Sequence, residues 1–120
     1  MAKVEPITEE LAYEWIGGTG MGVRIVTSEV SPDVQWNEPG NKIVLSAGPL
    51  SGTPGIGSGC FGLVTKGAMT GGITQSQANG FFGAFLRSCG YDSIVIEGQS
   101  DNWIYIYIED EKIEFRSAEH

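Results

Sequence analysis

A chain of 120 residues with seven Lys plus Arg against fifteen Asp plus Glu, formal net charge −8, fits one small domain and repels phosphate backbones. The charge excludes a nucleic-acid partner. No apolar run approaches the roughly 20 residues that span a bilayer and no signal-peptide pattern opens the chain, so the expectation is no membrane association and a cytoplasmic location.

Thr8 can cap a helix with its hydroxyl, Glu9 and Glu10 suit the positive end of its dipole, and Leu11 and Trp15 lie four apart on one face. Gly17-Gly18 is expected to end it. A second short helix is predicted from Met21 to about Val30, with Val23, Val26 and Val30 on one side. Ser31 to Asn41 is rich in turn formers and reads as a surface connection. Lys42 to Ala47 and Phe61 to Thr65 read as strands, separated by the glycine-proline loop Gly48 to Gly59. A further strand is expected over Ile73 to Ser76. A helix follows over Asn79 to Cys89, with Phe82, Phe85, Leu86 and Cys89 on one face and Gly90 as its stop. Ser93 to Glu97, Trp103 to Ile108 and Lys112 to Phe115 then read as a β-meander, with Asp110-Glu111 as a polar turn. Trp103, Tyr105 and Tyr107 share one face at period two, which points to core packing or a subunit contact. Together these elements predict an α+β domain with a largely antiparallel sheet and two or three short helices.

Eighteen glycines stand where ordinary usage gives about eight, and they sit among Ile, Val, Phe and Trp rather than in a Ser-rich linker. They imply backbone at positive φ, or backbone too close to a neighbour for a β-carbon. GGTGMG (Gly17 to Gly22) follows a helix and not a strand, which argues against a dinucleotide site and for a close helix corner. GSGC (Gly57 to Cys60) and QANG (Gln77 to Gly80) flank predicted strands, where small residues can open peptide groups to a ligand. Tight strand packing is the competing reading. Cys60 and Cys89 form no CxxC pair, so two buried thiols are expected and no zinc or cluster site. His120 is the only histidine, and a His-based triad cannot be assembled.

IGGTGMG, GNKIVLSAGPLSGTPG, GSGCFGLVTKGAMTGGI and NGFFGAFLRSCGYDSIVIEGQSDNWIYI, in this order, resemble the N-terminal domain of aldehyde:ferredoxin oxidoreductases, over about Val4 to His120. The resemblance implies a β-rich saddle, here a single incomplete domain over residues 1–120, that cradles a tungsten-bispterin (tungstopterin), rarely with molybdenum in place of tungsten. It implies oxidation of aldehydes to carboxylic acids with ferredoxin as electron acceptor, and a [4Fe–4S] cluster supplied by other domains. A first strand pair and the domain's end are expected to lie outside these residues. The cofactor-binding residues it implies are Gly57, Gly59, Cys60, Gln77, Asn79 and Gly80, with no catalytic residue and no metal ligand in the chain itself.

Three positions depart from the family pattern. Cys60 stands where the family has an arginine expected to bridge pterin and cluster, Thr19 where an arginine is common, and Gln77 where an asparagine helps hold the ion between the pterin phosphates. A thiol cannot replace a charge-assisted fork of donors. Two functions compete. One is the cofactor-cradling piece of the oxidoreductase, partnered by the remaining domains or a catalytic subunit and inactive alone. The other is a stand-alone interaction or oligomerisation module without redox function, and a homo-oligomer is expected. A metal-free pterin carrier is a weaker third. Cys60 and Gln77 are expected to lie together, flanking an open groove.

Overall fold

The computed structural model describes residues 1–119; His120 lies outside the described residues. The element order is α1 (Glu9–Trp15), α2 (Gly18–Glu29), β1 (Lys42–Ala47), β2 (Phe61–Lys66), β3 (Ile73–Ala78), α3 (Phe82–Ser88), β4 (Ser93–Glu97), β5 (Ile104–Glu109) and β6 (Lys112–Ser117). Thr8 Oγ1 accepts the Leu11 N–H at 3.3 Å and caps α1. Ile16 at φ 62° and Gly17 at φ 145° turn the chain, and Gly18 opens α2 three residues before its predicted start.

Every strand pairing is antiparallel, in a four-stranded sheet of order β3-β2-β1-β4 and a separate β5-β6 hairpin. This is the mixed α+β architecture expected. The β-meander is not formed. β4 lies beside β1, with Leu45 opposite Ile94 and Ser46 opposite Ser93, and the two serine hydroxyls are 2.7 Å apart. A chain-adjacent partner for β4 lost to a distant one because β1 offers an apolar run in register, with Lys42 at its end held between Glu29 at 2.8 Å and Glu97 at 2.6 Å.

Alternation gives the sheet two unlike faces. Val44 and Val64 stand opposite each other, fully buried, and α2 lays Val26 over them, with Val30 closing the cluster. Lys66 is buried in this layer without a carboxylate partner among the described residues. Its Nζ donates to the carbonyls of Ser31 at 3.3 Å and Pro32 at 2.5 Å, tying the 31–41 connection to the sheet.

Three local expectations change. Trp103 and Tyr105 are exposed rather than packed in this domain's core, which leaves only the subunit-contact half of that expectation, and the Arg116 guanidinium lies 3.5 Å from the Tyr107 ring centroid on the same side of the hairpin. Ile104, Ile106, Ile108, Ile113 and Phe115 occupy the opposite side by register. Along α3, Gly83 and Leu86 are buried while Phe81 and Phe85 point outward, because Gly83 packs against the backbone of residues 59 and 60 and turns that line of the helix inward. Cys60 and Cys89 are half-buried, not buried, since both sit at element ends. Among the described residues no helix is long and apolar enough to cross a membrane.

Candidate functional site

The loop between β1 and β2 and the turn between β3 and α3 meet backbone to backbone. The Gly83 N–H donates to the Gly59 carbonyl at 3.0 Å. A β-carbon on Gly59 would collide with the Gly80 carbonyl oxygen, and one on Gly83 with the Cys60 carbonyl oxygen. Ser51 braces the loop from within: its Oγ accepts the Gly48 N–H at 3.0 Å and donates to the Cys60 carbonyl at 3.4 Å. Gly57 at φ 80° and Gly80 at φ 121° have no atom within 4 Å of where a β-carbon would stand, so each leaves bare backbone open to its surroundings.

Cys60 ends the loop directly before β2, with its N–H on the Gly57 carbonyl at 3.2 Å and its Sγ on Asn79 Oδ1 at 3.1 Å. Phe61 lies opposite Ala78 and Gly62 opposite Gln77. By period two, Cys60, Gln77 and Asn79 therefore share one face of the sheet. It is the face that α2 covers further along. A β-carbon on Gly62 would stand 3.2 Å from the Thr19 backbone nitrogen, at the N-terminal end of α2. Gly57, Gly59, Cys60, Gln77, Asn79 and Gly80 thus fall in one neighbourhood, and Thr19 joins them.

The neighbourhood carries no formal charge. No Asp, Glu, Lys or Arg occurs from Gly67 to Leu86. The next cation, Arg87, is ion-paired with Asp92. Peptide groups, two side-chain amides and a thiol can hold a polar heterocycle by hydrogen bonds but bring no cation to a phosphate. Among the described residues no cluster of three His, Cys, Asp or Glu could hold a metal ion.

Two cavities lie elsewhere, neither lined by the six residues above. One of ≈ 290 Å³ is bounded by Ile7, Ile16, Met21, Pro49 and the Arg87 and Asp92 pair. The other, ≈ 180 Å³, lies between Trp36, Pro39, Ile43 and Ile96. Sequence reasoning misses the first because its walls come from both sides of α1, the loop after β1, α3 and the start of β4. Only the paired cation and carboxylate five residues apart hint at it.

The family model for the aldehyde ferredoxin oxidoreductase N-terminal domain matches residues 1–120. A tungsten-containing aldehyde ferredoxin oxidoreductase of Pyrococcus furiosus is 45% identical over 118 residues, covering 98% of this chain and 20% of that protein. One from Thermococcus kodakarensis is 42% identical over 118 residues, with the same coverage. The chain thus spans about one fifth of the length of these relatives. Among solved structures, the active site complex BamBC of benzoyl coenzyme A reductase, in complex with 1,5-dienoyl-CoA, superposes with a TM-score of 0.90 at 31% identity, covering 93% of this chain and 17% of that one. A match of this extent, on a fold of antiparallel sheet and short helices, means that the chain belongs to the aldehyde ferredoxin oxidoreductase family as its N-terminal domain.

Proposed function

We propose that this chain is the cofactor-cradling part of a tungsten-bispterin oxidoreductase that converts aldehydes to carboxylic acids with ferredoxin as acceptor, and that it is inactive until joined to the remaining domains or a catalytic subunit. The observation that carries the reading is the meeting of GSGC with QANG, where Cys60 and Asn79 touch and Gly57 and Gly80 leave backbone bare. The peptide groups of Gly57, Gly59 and Gly80 and the amides of Gln77 and Asn79 would hold the hydrogen-bonding edge of a pterin. A side chain at the open glycines would narrow that edge.

The fit is one of hydrogen-bonding capacity, not of charge. With Cys60 and Thr19 both uncharged, neutralising a pyrophosphate falls to residues outside this chain. When bound, the tungsten-bispterin group supplies the two-electron oxidation of the aldehyde. This chain's own part is to orient the group and keep one side of it dry. The [4Fe–4S] cluster belongs to the other domains, because two half-buried, separate cysteines do not make a cluster site. A cytoplasmic location goes with this reading.

The test is a chimera in which this chain replaces the matched 118 residues of the Pyrococcus furiosus relative. Purified chimera is expected to carry tungsten and pterin. A folded chimera free of pterin would refute the cradle. The second reading, an interaction module without redox function, draws on the uncharged stretch from Gly67 to Leu86 and the exposed Met69, Phe81 and Phe85 within it.

A further inference from the structure

The loop from Gly48 to Cys60 joins β1 to β2, and its last turn uses its hydrogen-bonding groups unevenly. The Cys60 N–H donates to the Gly57 carbonyl at 3.2 Å, the Gly52 N–H to the Ser58 carbonyl at 3.0 Å and the Gly83 N–H to the Gly59 carbonyl at 3.0 Å. The Cys60 carbonyl accepts the Ser51 hydroxyl at 3.4 Å. The consecutive carbonyls from Gly57 to Cys60 are thus all engaged within the fold. The N–H groups of Gly57 and Gly59 have no partner among the described residues. This turn therefore offers donors to whatever lies beside it, while its acceptors are already in use. Every one of these bonds is made between residues 48 and 83, so the pattern is a property of the domain's own folding.

One buried side chain holds the pattern together. Ser51 is 9% exposed. Its N–H donates to the Gly48 carbonyl and its Oγ accepts the Gly48 N–H, both at 3.0 Å, while its hydroxyl hydrogen goes to the Cys60 carbonyl nine residues on. The exit from β1 and the entry to β2 are fastened to each other there. With alanine at position 51, the Gly48 N–H and the Cys60 carbonyl each lose a partner. A freed carbonyl can then turn outward to water and set an acceptor where the turn now sets donors. Being buried, Ser51 acts on the cradle only through these backbone groups.

We infer that Ser51 is a positioning residue of the cradle: by holding the Cys60 carbonyl inward, it keeps the Gly57 and Gly59 N–H groups free for an acceptor oxygen of the bound pterin. This role rests on the cradle reading above. It adds which end of the hydrogen bond the loop supplies and which buried residue sets it.

The chimera that carries this chain in place of the matched 118 residues of the Pyrococcus furiosus relative tests it. Ser51→Ala should release pterin on dialysis about tenfold faster than the parent chimera, as expected when one hydrogen bond to the ligand is lost. Ser51→Thr, which keeps the hydroxyl, should restore slow release. Hydrogen exchange of the unaltered chimera, before and after dialysis has removed the pterin, is the second measurement, in case the variants do not fold. Bound pterin should slow the amides of Gly57 and Gly59 and leave that of Cys60, already bonded to the Gly57 carbonyl, unchanged. A folded Ser51→Ala chimera that holds pterin as well as its parent would overturn the role of Ser51 and leave the cradle standing. So would a Ser51→Thr chimera that loses pterin as fast as Ser51→Ala, since packing and not the hydroxyl would then be the cause. Gly57 and Gly59 amides that exchange alike with and without pterin would overturn it too. A folded parent chimera that never holds pterin would remove the cradle, and this role with it.

Discussion

Gly22 of α2 lies so close over Val64 of β2 that a β-carbon at position 22 would stand 2.6 Å from Val64 Cγ2 and 2.8 Å from Val64 Cβ. Both residues are buried, Val64 completely. The helix can settle onto the sheet only because this position has no side chain. Gly22→Ala gains about 1 kcal/mol of helix propensity but forces the helix outward at an overpacking cost of about 1–3 kcal/mol. A lower urea midpoint is expected. With Val64→Ala added, the two effects should be less than additive, because the second change makes room for the first. A Gly22→Ala midpoint equal to or above the parent's would mean that the contact is not tight.

Val44 and Ile43 are neighbours on β1 with opposite fates: Val44 is fully buried under α2, while Ile43 is 40% exposed on the other face. Val44→Ala should cost about 2 kcal/mol or more through the cavity it leaves. Ile43→Ala removes more atoms yet should cost less than Val44→Ala. Equal losses in a denaturant titration would mean that the second face is as tightly covered as the first.

Lys42 joins α2, β1 and β4 through Glu29 and Glu97, and the hydrogen bonds it donates to these two carboxylates, Glu29 first, raise its pKa above the usual 10.5. The folded state therefore holds this proton more tightly than the unfolded chain. Its contribution is complete below about pH 10.5 and is lost as pH rises through the raised value. Screening by solvent keeps the magnitude under about 1 kcal/mol. Unfolding free energies of the parent and of Lys42→Met should differ most below about pH 10.5 and draw together as pH rises through the raised value. A constant difference across that range would remove the ion pairs as its cause.

Cys60 sits where the resemblance expects an arginine, within reach of the Gly57 and Asn79 groups. In the chimera with the Pyrococcus furiosus relative, Cys60→Arg should strengthen pterin retention. A charge-assisted hydrogen bond is worth about 1.5–3 kcal/mol, or roughly a tenfold to hundredfold slower loss on dialysis. Pterin content and release rate check it. Unchanged retention in a folded variant would separate position 60 from the cofactor.

Local runs with clear punctuation were legible in the chain itself. β1 and β4 fall on the residues predicted, because short apolar runs bounded by Asn41, Gly48, Asp92 and Gly98 leave little freedom in where a strand begins or ends. The cap at Thr8 was legible for the same reason: its hydroxyl reaches an amide three residues away. The glycine excess likewise announced positive φ or close approach.

Which of those two reasons applies at each glycine was a tertiary matter. Gly22 and Gly83 are needed because another segment arrives there, Val64 in one case and the Cys60 carbonyl in the other. Gly57 and Gly80 are needed for their own φ, with nothing beside them. Strand pairing was tertiary too. β4 reads locally as the first strand of a meander, yet it is 47 or more residues from its partner β1 all along the ladder, the nearest pair being Ser46 with Ser93. Its place depends on groups that meet only after the chain has closed: the paired serine hydroxyls and Lys42 between Glu29 and Glu97. A residue's own neighbours fix its φ and its cap, but the partner of a strand is chosen by surfaces that exist only once α2 has covered one face of the sheet.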